Sequence, residues 1–514
     1  MNTRIRLAAV LLILVLALGG AGVRAADYTP GVKLHTYPNG LTLMVVERHD
    51  WPTVACYRYH KVGSVNERPG LTGAAHLLEH MMFKGTSEIG TWNYEAEVPL
   101  MSQIEKIVDE IEKERAKGLS GYQKMDQARI DRLWKQVKAL QDKQRQYIRK
   151  NEVDYIYHSQ GGDQGNASTG YDRTDYYVSL PANRVEVWTY VESERMRAPV
   201  FREFYSERDV VNEERRMYAN SPDGALYEVL FDNLFVTMPY SHDIVGWASD
   251  LESMRSRDVM AFLKKYYAPN NTIIVLVGDL KFQDAKELVG KYFGTLPRQP
   301  DPGPVFTKDA PQKGERRVEL EFDAKPRVLI GYHGPIPGHP DQYALDVLSY
   351  VLTEGRTSRF YKNLVEKNLA YSCNGGNWTL GYTNVFVIDA VPKAPCTPAQ
   401  LEEAVYKEIS LLATEPVTQR EMEMVMNKVD KNYLDSLKSK MRLASSLARA
   451  HSWTGDWRNF DERAPMKKVT PQDVMRVAKK YLVKSNRTVT VLVPTPRKAD
   501  GVDEDSKAEG GDEK

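Results

Sequence analysis

Residues 257–266 read RDVMAFLKKY and residues 472–481 read QDVMRVAKKY, identical at six of ten positions. Asp258 and Asp473 set the offset at 215 residues. Each copy precedes an apolar, β-branched run, Thr272–Val277 and Thr488–Val493, with strand-like composition. A helix–turn–strand unit recurring at that distance constrains the chain to two related halves of one duplicated architecture. The join is Pro297 to Gly314, which holds five prolines among glycines and charges and reads as a linker.

Within the first half, residues 33–48 alternate apolar and polar about Asn39-Gly40, a strong signal for a tight β-hairpin. Val54–Val62 reads as a further strand, and Gly70–Lys84 as a helix buried on more than one side. Residues 97–150 differ: Leu100, Ile104, Ile107 and Ile111, then Ile130, Leu133, Val137 and Leu140, recur at helical spacing. That segment is expected to form an antiparallel helical hairpin, either a solvated structural insertion or a docking arm or lid. The expected fold class is therefore α+β, with two homologous domains at 26–295 and 316–494. They are joined by a linker at 296–315, the first carries the 97–150 hairpin, and a disordered tail follows from 495.

Charge excludes one function class. Lys and Arg number 70 against 69 Asp and Glu, so no basic surplus favours nucleic acid. Cys56, Cys373 and Cys396 match no zinc ribbon, so a metal must be held by His and carboxylate; one bridge between Cys373 and Cys396 remains open. Arg4 and Arg6 before the apolar Leu7–Leu18 run, with small residues up to Ala25, give a secretory signal over 1–25. Its apolar core is too short for a spanning helix, so the mature chain is expected to be exported, periplasmic or secreted, with no membrane span.

The chemistry centres on His76-Leu77-Leu78-Glu79-His80. On a helix, residues four apart share a face, so His76 and His80 can bind one metal ion, and Glu79 lies beside that face as a general base. Zinc suits such a site, with three protein ligands and an open position for water. The same pentapeptide also suits a buried helix with two satisfied histidines, and only a third ligand separates the two. Glu207 and Glu214 are seven residues apart, two helical turns, and fall on one face. One would ligate the metal while the other hydrogen-bonds a ligand histidine.

The pentapeptide and the following Met81-Met82-Phe83-Lys84-Gly85-Thr86 resemble the pitrilysin-type zinc peptidases, which include insulin-degrading enzyme and the mitochondrial processing peptidase. The resemblance continues through Asn166-Ala167-Ser168-Thr169, Tyr171–Tyr177, Glu207–Val211, Glu214, Met238-Pro239-Tyr240 and Gly246-Trp247. It implies one zinc per chain on His76, His80 and Glu214, with Glu79 as general base and Glu207 supporting a ligand. It also implies an edge strand at Asn166 and Ala167, where substrate adds as a further β-strand.

Two departures stand out. The hairpin lengthens the stretch between His80 and Glu207. In the second half, the resemblance retains a substrate-contacting Tyr371, but Leu364 stands where the family often has Arg. Since four domains usually enclose the family's chamber, a homodimer or a heterodimer with a related chain is expected. The reading is a zinc endopeptidase acting on unfolded polypeptide. The alternatives are a non-catalytic subunit that binds peptide or a partner, and a carbohydrate-active enzyme using Glu207 and Glu214, which leaves both histidines unexplained.

Overall fold

The computed structural model describes residues 29–119 and 123–495. The expected signal segment and residues 496–514 of the tail lie outside the described residues. No helix among the described residues is long and apolar enough to cross a membrane.

In chain order the first strands are β1 (Val32–Thr36), β2 (Thr42–Glu47) and β3 (Thr53–His60). The helices α1 (Ala74–Met81), α2 (Tyr94–Leu119), α3 (Gln127–Gln144) and α4 (Glu152–Ser159) follow. Then come β4 (Asp163–Thr169), β5 (Thr174–Pro181), α5 (Val185–Arg197), α6 (Phe204–Ala219), α7 (Pro222–Leu234), α8 (Ser256–Tyr266), β6 (Thr272–Gly278) and α9 (Phe282–Phe293). The second run holds β7 (Arg316–Phe322), β8 (Arg327–His333), α10 (Pro340–Thr353), β9 (Ala370–Thr379), β10 (Asn384–Pro392) and α11 (Pro398–Thr414). It ends with α12 (Gln419–Lys438), α13 (Lys440–Thr454), α14 (Pro471–Tyr481) and β11 (Arg487–Pro494).

The duplication seen in the sequence is a duplication of topology. One sheet has the order β1-β2-β6-β3-β5-β4 and the other β7-β11-β8-β10-β9. In each, the strand after the repeated helix pairs parallel with the first strand of the repeat, β2 with β6 and β7 with β11. The remaining pairings in each are antiparallel. β1, the hairpin partner of β2 across Asn39-Gly40, is the extra strand of the first sheet. The expected α+β class with two related domains holds.

Compact units are interleaved along the chain. One comprises the described residues up to Asp209 with Ser249–Val305 and Arg420–Lys468; the other comprises Val210–Ala248, Phe306–Gln419 and the described residues from Val469 onward. Burial explains why the first unit needs the distant helices. Leu43, Val45, Cys56 and Ile274 face a core closed by Trp188 of α5 and Phe293 of α9. Met44, Ala55, Tyr57 and Val275 point to the opposite face and meet Tyr433, Leu437, Leu443 and Leu447 of α12 and α13. A central strand whose side chains alternate between two apolar layers must be covered on both sides.

The inserted segment forms the expected hairpin of α2 and α3, with Ile104, Val108, Ile111, Ile130 and Val137 buried in its seam. Asp126 starts α3 by accepting a hydrogen bond from the Arg129 N–H. The three cysteines are free thiols, so Cys373 and Cys396 are not bridged.

Candidate metal centre

The helix that carries the pentapeptide starts at Ala74, because Gly73 adopts a left-handed backbone (φ 86°) that ends the preceding loop. Two buried carboxylates satisfy the N–H groups that a helix start leaves unpaired. Glu67 accepts from the Gly73 and Ala75 N–H groups at 2.8 and 2.7 Å. Asp250 accepts from the Gly70 N–H, the Thr72 N–H and the Thr72 hydroxyl at 2.8–3.1 Å. Ala74, Ala75, Leu77, Leu78 and Met81 are fully buried and fix the rotation of α1. That rotation leaves His76, Glu79 and His80 on the less buried side.

The two imidazoles stand edge to face with ring centres 4.8 Å apart. His76, His80 and Glu214 each offer one ligand atom, and these atoms all lie within 4.8 Å of one another. Glu214 belongs to α6, an unbroken helix whose first turn, with Glu207, lies in the same compact unit as α1. Helix continuity therefore carries Glu214 to its place.

Glu207, on the same helix, hydrogen-bonds one of the two histidines. Its Oε1 is 3.0 Å from His80 Nδ1, and its Oε2 is 2.5 Å from Lys84 Nζ. With Nδ1 engaged, His80 presents Nε2 as its remaining donor atom. Burial pushes the Glu207 carboxyl up, but the hydrogen bonds from His80 and Lys84 outweigh it and hold the group at about 2. Burial, aided by the neighbouring His80, holds His76 down at about 4, so its imidazole is neutral at neutral pH. Two imidazoles and a carboxylate within this span fit zinc by their donor chemistry.

Glu79 is held from the other side. The Thr169 hydroxyl, at the end of β4, donates to Glu79 Oε2 at 2.6 Å. Behind it lie Tyr176 and Tyr267, whose hydroxyls are 2.9 Å apart. Burial above all, with Tyr267 and Glu79 among the contributors, pushes the Tyr176 phenol far above its ordinary value. Beneath them a fully buried pair joins Arg58 to Glu192 at 2.9 Å, and Glu192 also accepts from Tyr157 and Arg195. Arg195 in turn donates to the Met82 carbonyl at 2.8 Å, tying down the end of α1.

A cavity of about 700 Å³ opens beside Glu79 and His80, walled by Glu207, Gly165, Asn166 and Ile148. Asn166 and Ala167 lie on β4, which is an edge of its sheet. Tyr371 lies on β9, the corresponding edge of the second sheet, and is 57% exposed. Its ring centre is 5.5 Å from Lys325 Nζ and 5.8 Å from Lys393 Nζ. Leu364 is buried in its own unit.

No sequence motif marks Thr169, Lys84, Glu67 or Asp250 as site residues. Lys84 stands four residues after His80, just past the end of α1, where a lysine is ordinarily solvated, so spacing alone does not mark it. Thr169, Glu67 and Asp250 act through contacts that no local pattern encodes.

Two family models match the chain: one described as Insulinase (Peptidase family M16) over residues 44–104, and one described as Peptidase M16 inactive domain over residues 253–429. Among curated proteins, a zinc protease PqqE of Helicobacter pylori is 27% identical over 485 residues, spanning 92% of this chain and 96% of that protein. A solved protease structure from Helicobacter pylori superposes with a TM-score of 0.76 at 26% identity, covering 91% of this chain and all of that one. The first half of the periplasmic protease PqqL from Escherichia coli shares the fold, with a TM-score of 0.66 at 17% identity over 90% of this chain and 92% of that one.

Proposed function

Because the chain belongs to the M16 (pitrilysin) peptidase family, we propose that it is a zinc-dependent endopeptidase that hydrolyses unfolded polypeptide in an exported compartment. The observation that carries this reading is the convergence of His76, His80 and Glu214, with their ligand atoms within 4.8 Å, beside Glu79. When bound by these three residues, zinc supplies a Lewis acid that polarises the scissile carbonyl and acidifies water.

The chain's own residues do the rest. Glu79 accepts a proton from the attacking water and later delivers it to the leaving amine. Thr169 holds one carboxylate oxygen of Glu79, which fixes the plane of the group and leaves the other oxygen for the proton. Glu207 fixes the orientation of His80, as a carboxylate behind a ligand histidine does in such sites. Substrate lies along the β4 edge at Asn166 and Ala167, satisfying its backbone donors and acceptors there as an added strand. Strand addition reads backbone, so flexible chains are favoured over folded proteins.

Three further expectations join this proposal. The catalytic domain spans 26–295 and the non-catalytic one 316–494, with Tyr371 contacting substrate. The chain pairs with a related chain that supplies the cation Leu364 does not, or, more simply, with a second copy of itself. Export rests on the character of the first 25 residues, and the periplasmic PqqL neighbour is consistent with it.

The test is cleavage of an unstructured, internally quenched fluorescent peptide by the mature chain beside Glu79→Gln. The reading expects cleavage that a chelator abolishes, zinc restores and Glu79→Gln lacks. Zinc-bound wild type that leaves the peptide intact would overturn the peptidase reading for the isolated chain and point to the non-catalytic subunit.

A further inference from the structure

The helical hairpin is tied into the metal centre by a chain of alternating charges. Arg145 caps the end of α3 and donates through Nε to Glu203 Oε1 at 2.8 Å. Glu203 Oε2 is 4.0 Å from Lys84 Nζ. Lys84 reaches Glu207 at 2.5 Å, and Glu207 reaches His80 Nδ1 at 3.0 Å. The two carboxylates at its heart are 11% and 17% exposed, and Arg145, at its outer end, is 40% exposed.

Glu203 is more than a link. It has a backbone φ of 53°, a left-handed conformation that a non-glycine side chain adopts only when its surroundings hold it there. It stands immediately before α6, and its carbonyl accepts the Glu207 N–H at 2.9 Å, closing the first turn. The residue that sets the start of the helix bearing Glu207 and Glu214 is thus strained, and its side chain is gripped by the hairpin on one side and by Lys84 on the other.

We infer that Arg145 is a positioning residue for the metal centre: the inserted hairpin, through Arg145 and Glu203, fixes the helix that presents Glu207 and Glu214. This rests on the metal site proposed above and gives the insertion a role there. Loss of Arg145 releases Glu203 to a relaxed backbone and loosens Lys84 from Glu207, so His80 and Glu214 lose part of their preorganisation. The partner directly behind a ligand histidine typically governs metal affinity by about 10–100-fold, and a group three links further out governs less.

The experiment measures zinc affinity of the full mature chain by competition with a chromogenic chelator. Arg145→Ala is expected to weaken zinc about fivefold, Glu203→Gln comparably, and Arg145→Lys to recover most of the loss by restoring the charge. Arg132→Ala, on the exposed surface of the same hairpin helix, is expected to match wild type. Far-UV circular dichroism establishes that each variant is folded. Affinities of Arg145→Ala and Glu203→Gln within twofold of wild type would overturn the inference and leave the peptidase reading intact. Equal loss in Arg132→Ala would also overturn it, by making the effect a general one of the hairpin. A wild-type chain that binds no zinc would bring down both.

Discussion

Arg202 gives the sharpest test of how the region after α1 is held. Its side chain is fully buried, as is that of its partner Glu97 on α2. The guanidinium donates to both Glu97 oxygens at 2.8 and 3.1 Å. It also donates to the carbonyls of Lys84, Thr86 and Ile89 at 2.6–3.2 Å. One side chain therefore rivets the hairpin to the loop that leaves the helix carrying His76 and His80. Arg202→Met keeps the apolar stem and deletes five hydrogen bonds. Glu97 is then left as a buried carboxylate with Gln144 Nε2, at 3.1 Å, as its remaining side-chain donor. Removing one partner of a buried ion pair costs about 3–5 kcal/mol, because the other charge stays desolvated. At roughly 2–4 °C per kcal/mol for a unit of this size, the melting temperature should fall by about 6–20 °C. Replacing both charges by similar volume removes the stranded carboxylate, so Arg202→Met with Glu97→Met should recover at least about 2 kcal/mol of the single variant's loss. Urea unfolding followed by far-UV circular dichroism, run as a double-mutant cycle, measures both quantities. A single variant within about 1 kcal/mol of wild type, or a double variant less stable than the single, would refute the reasoning.

Thr169→Val keeps the shape of β4 and removes the donor to Glu79 Oε2; a hydrogen bond to a charged group is worth about 1.5–3 kcal/mol. Peptide cleavage should therefore fall about 10–100-fold in kcat at little change in KM, read from steady-state kinetics. In the second unit, burial foremost pushes the Asp243 carboxyl up to about 6, with the Ile244 N–H and Arg215 pulling the other way. A raised acid is neutral in both states at low pH and costs stability as the unfolded form ionises while the folded form stays protonated. Stability should therefore decline as pH rises from about 4 to about 6, and Asp243→Asn should flatten that decline in urea midpoints measured across the range. Trp188, 1% exposed and packed against Phe293, fills the core on one face of the first sheet. Trp188→Ala should cost about 3–5 kcal/mol by calorimetry or urea unfolding, whereas Trp188→Phe should cost much less.

What the sequence made legible was local or repeated. The spacing of His76 and His80 needs only one helical turn, and Glu207 with Glu214 needs two, so periodicity reached all four. The copied stretches ending at Tyr266 and Tyr481 foreshadowed two sheets with the same pairing order, and Asn39-Gly40 marked the β1–β2 hairpin. The helix that carries His76 and His80 starts later than composition suggests, since Gly73 and the capping carboxylates of Glu67 and Asp250 delay it to Ala74. Asp250 lies far along the chain, and no local signal links it to Thr72. Thr169 is hidden for the same reason, because its partner Glu79 is ninety residues away. Lys84 is within reach of helical spacing, but a lysine near a helix end is ordinarily solvated, so spacing alone does not mark it. The cover that α12 and α13 give the first sheet is a matter of which apolar face finds which, decided between segments nearly four hundred residues apart.

The most direct test of the central claim is zinc stoichiometry. It is measured by mass spectrometry of the purified mature chain, with His80→Ala and Glu214→Ala prepared in parallel and each shown to be folded. The account predicts about one zinc per wild-type chain and a large loss in both variants, with Glu79→Gln retaining the metal. Full zinc in Glu214→Ala, or none in a folded wild type, would contradict it.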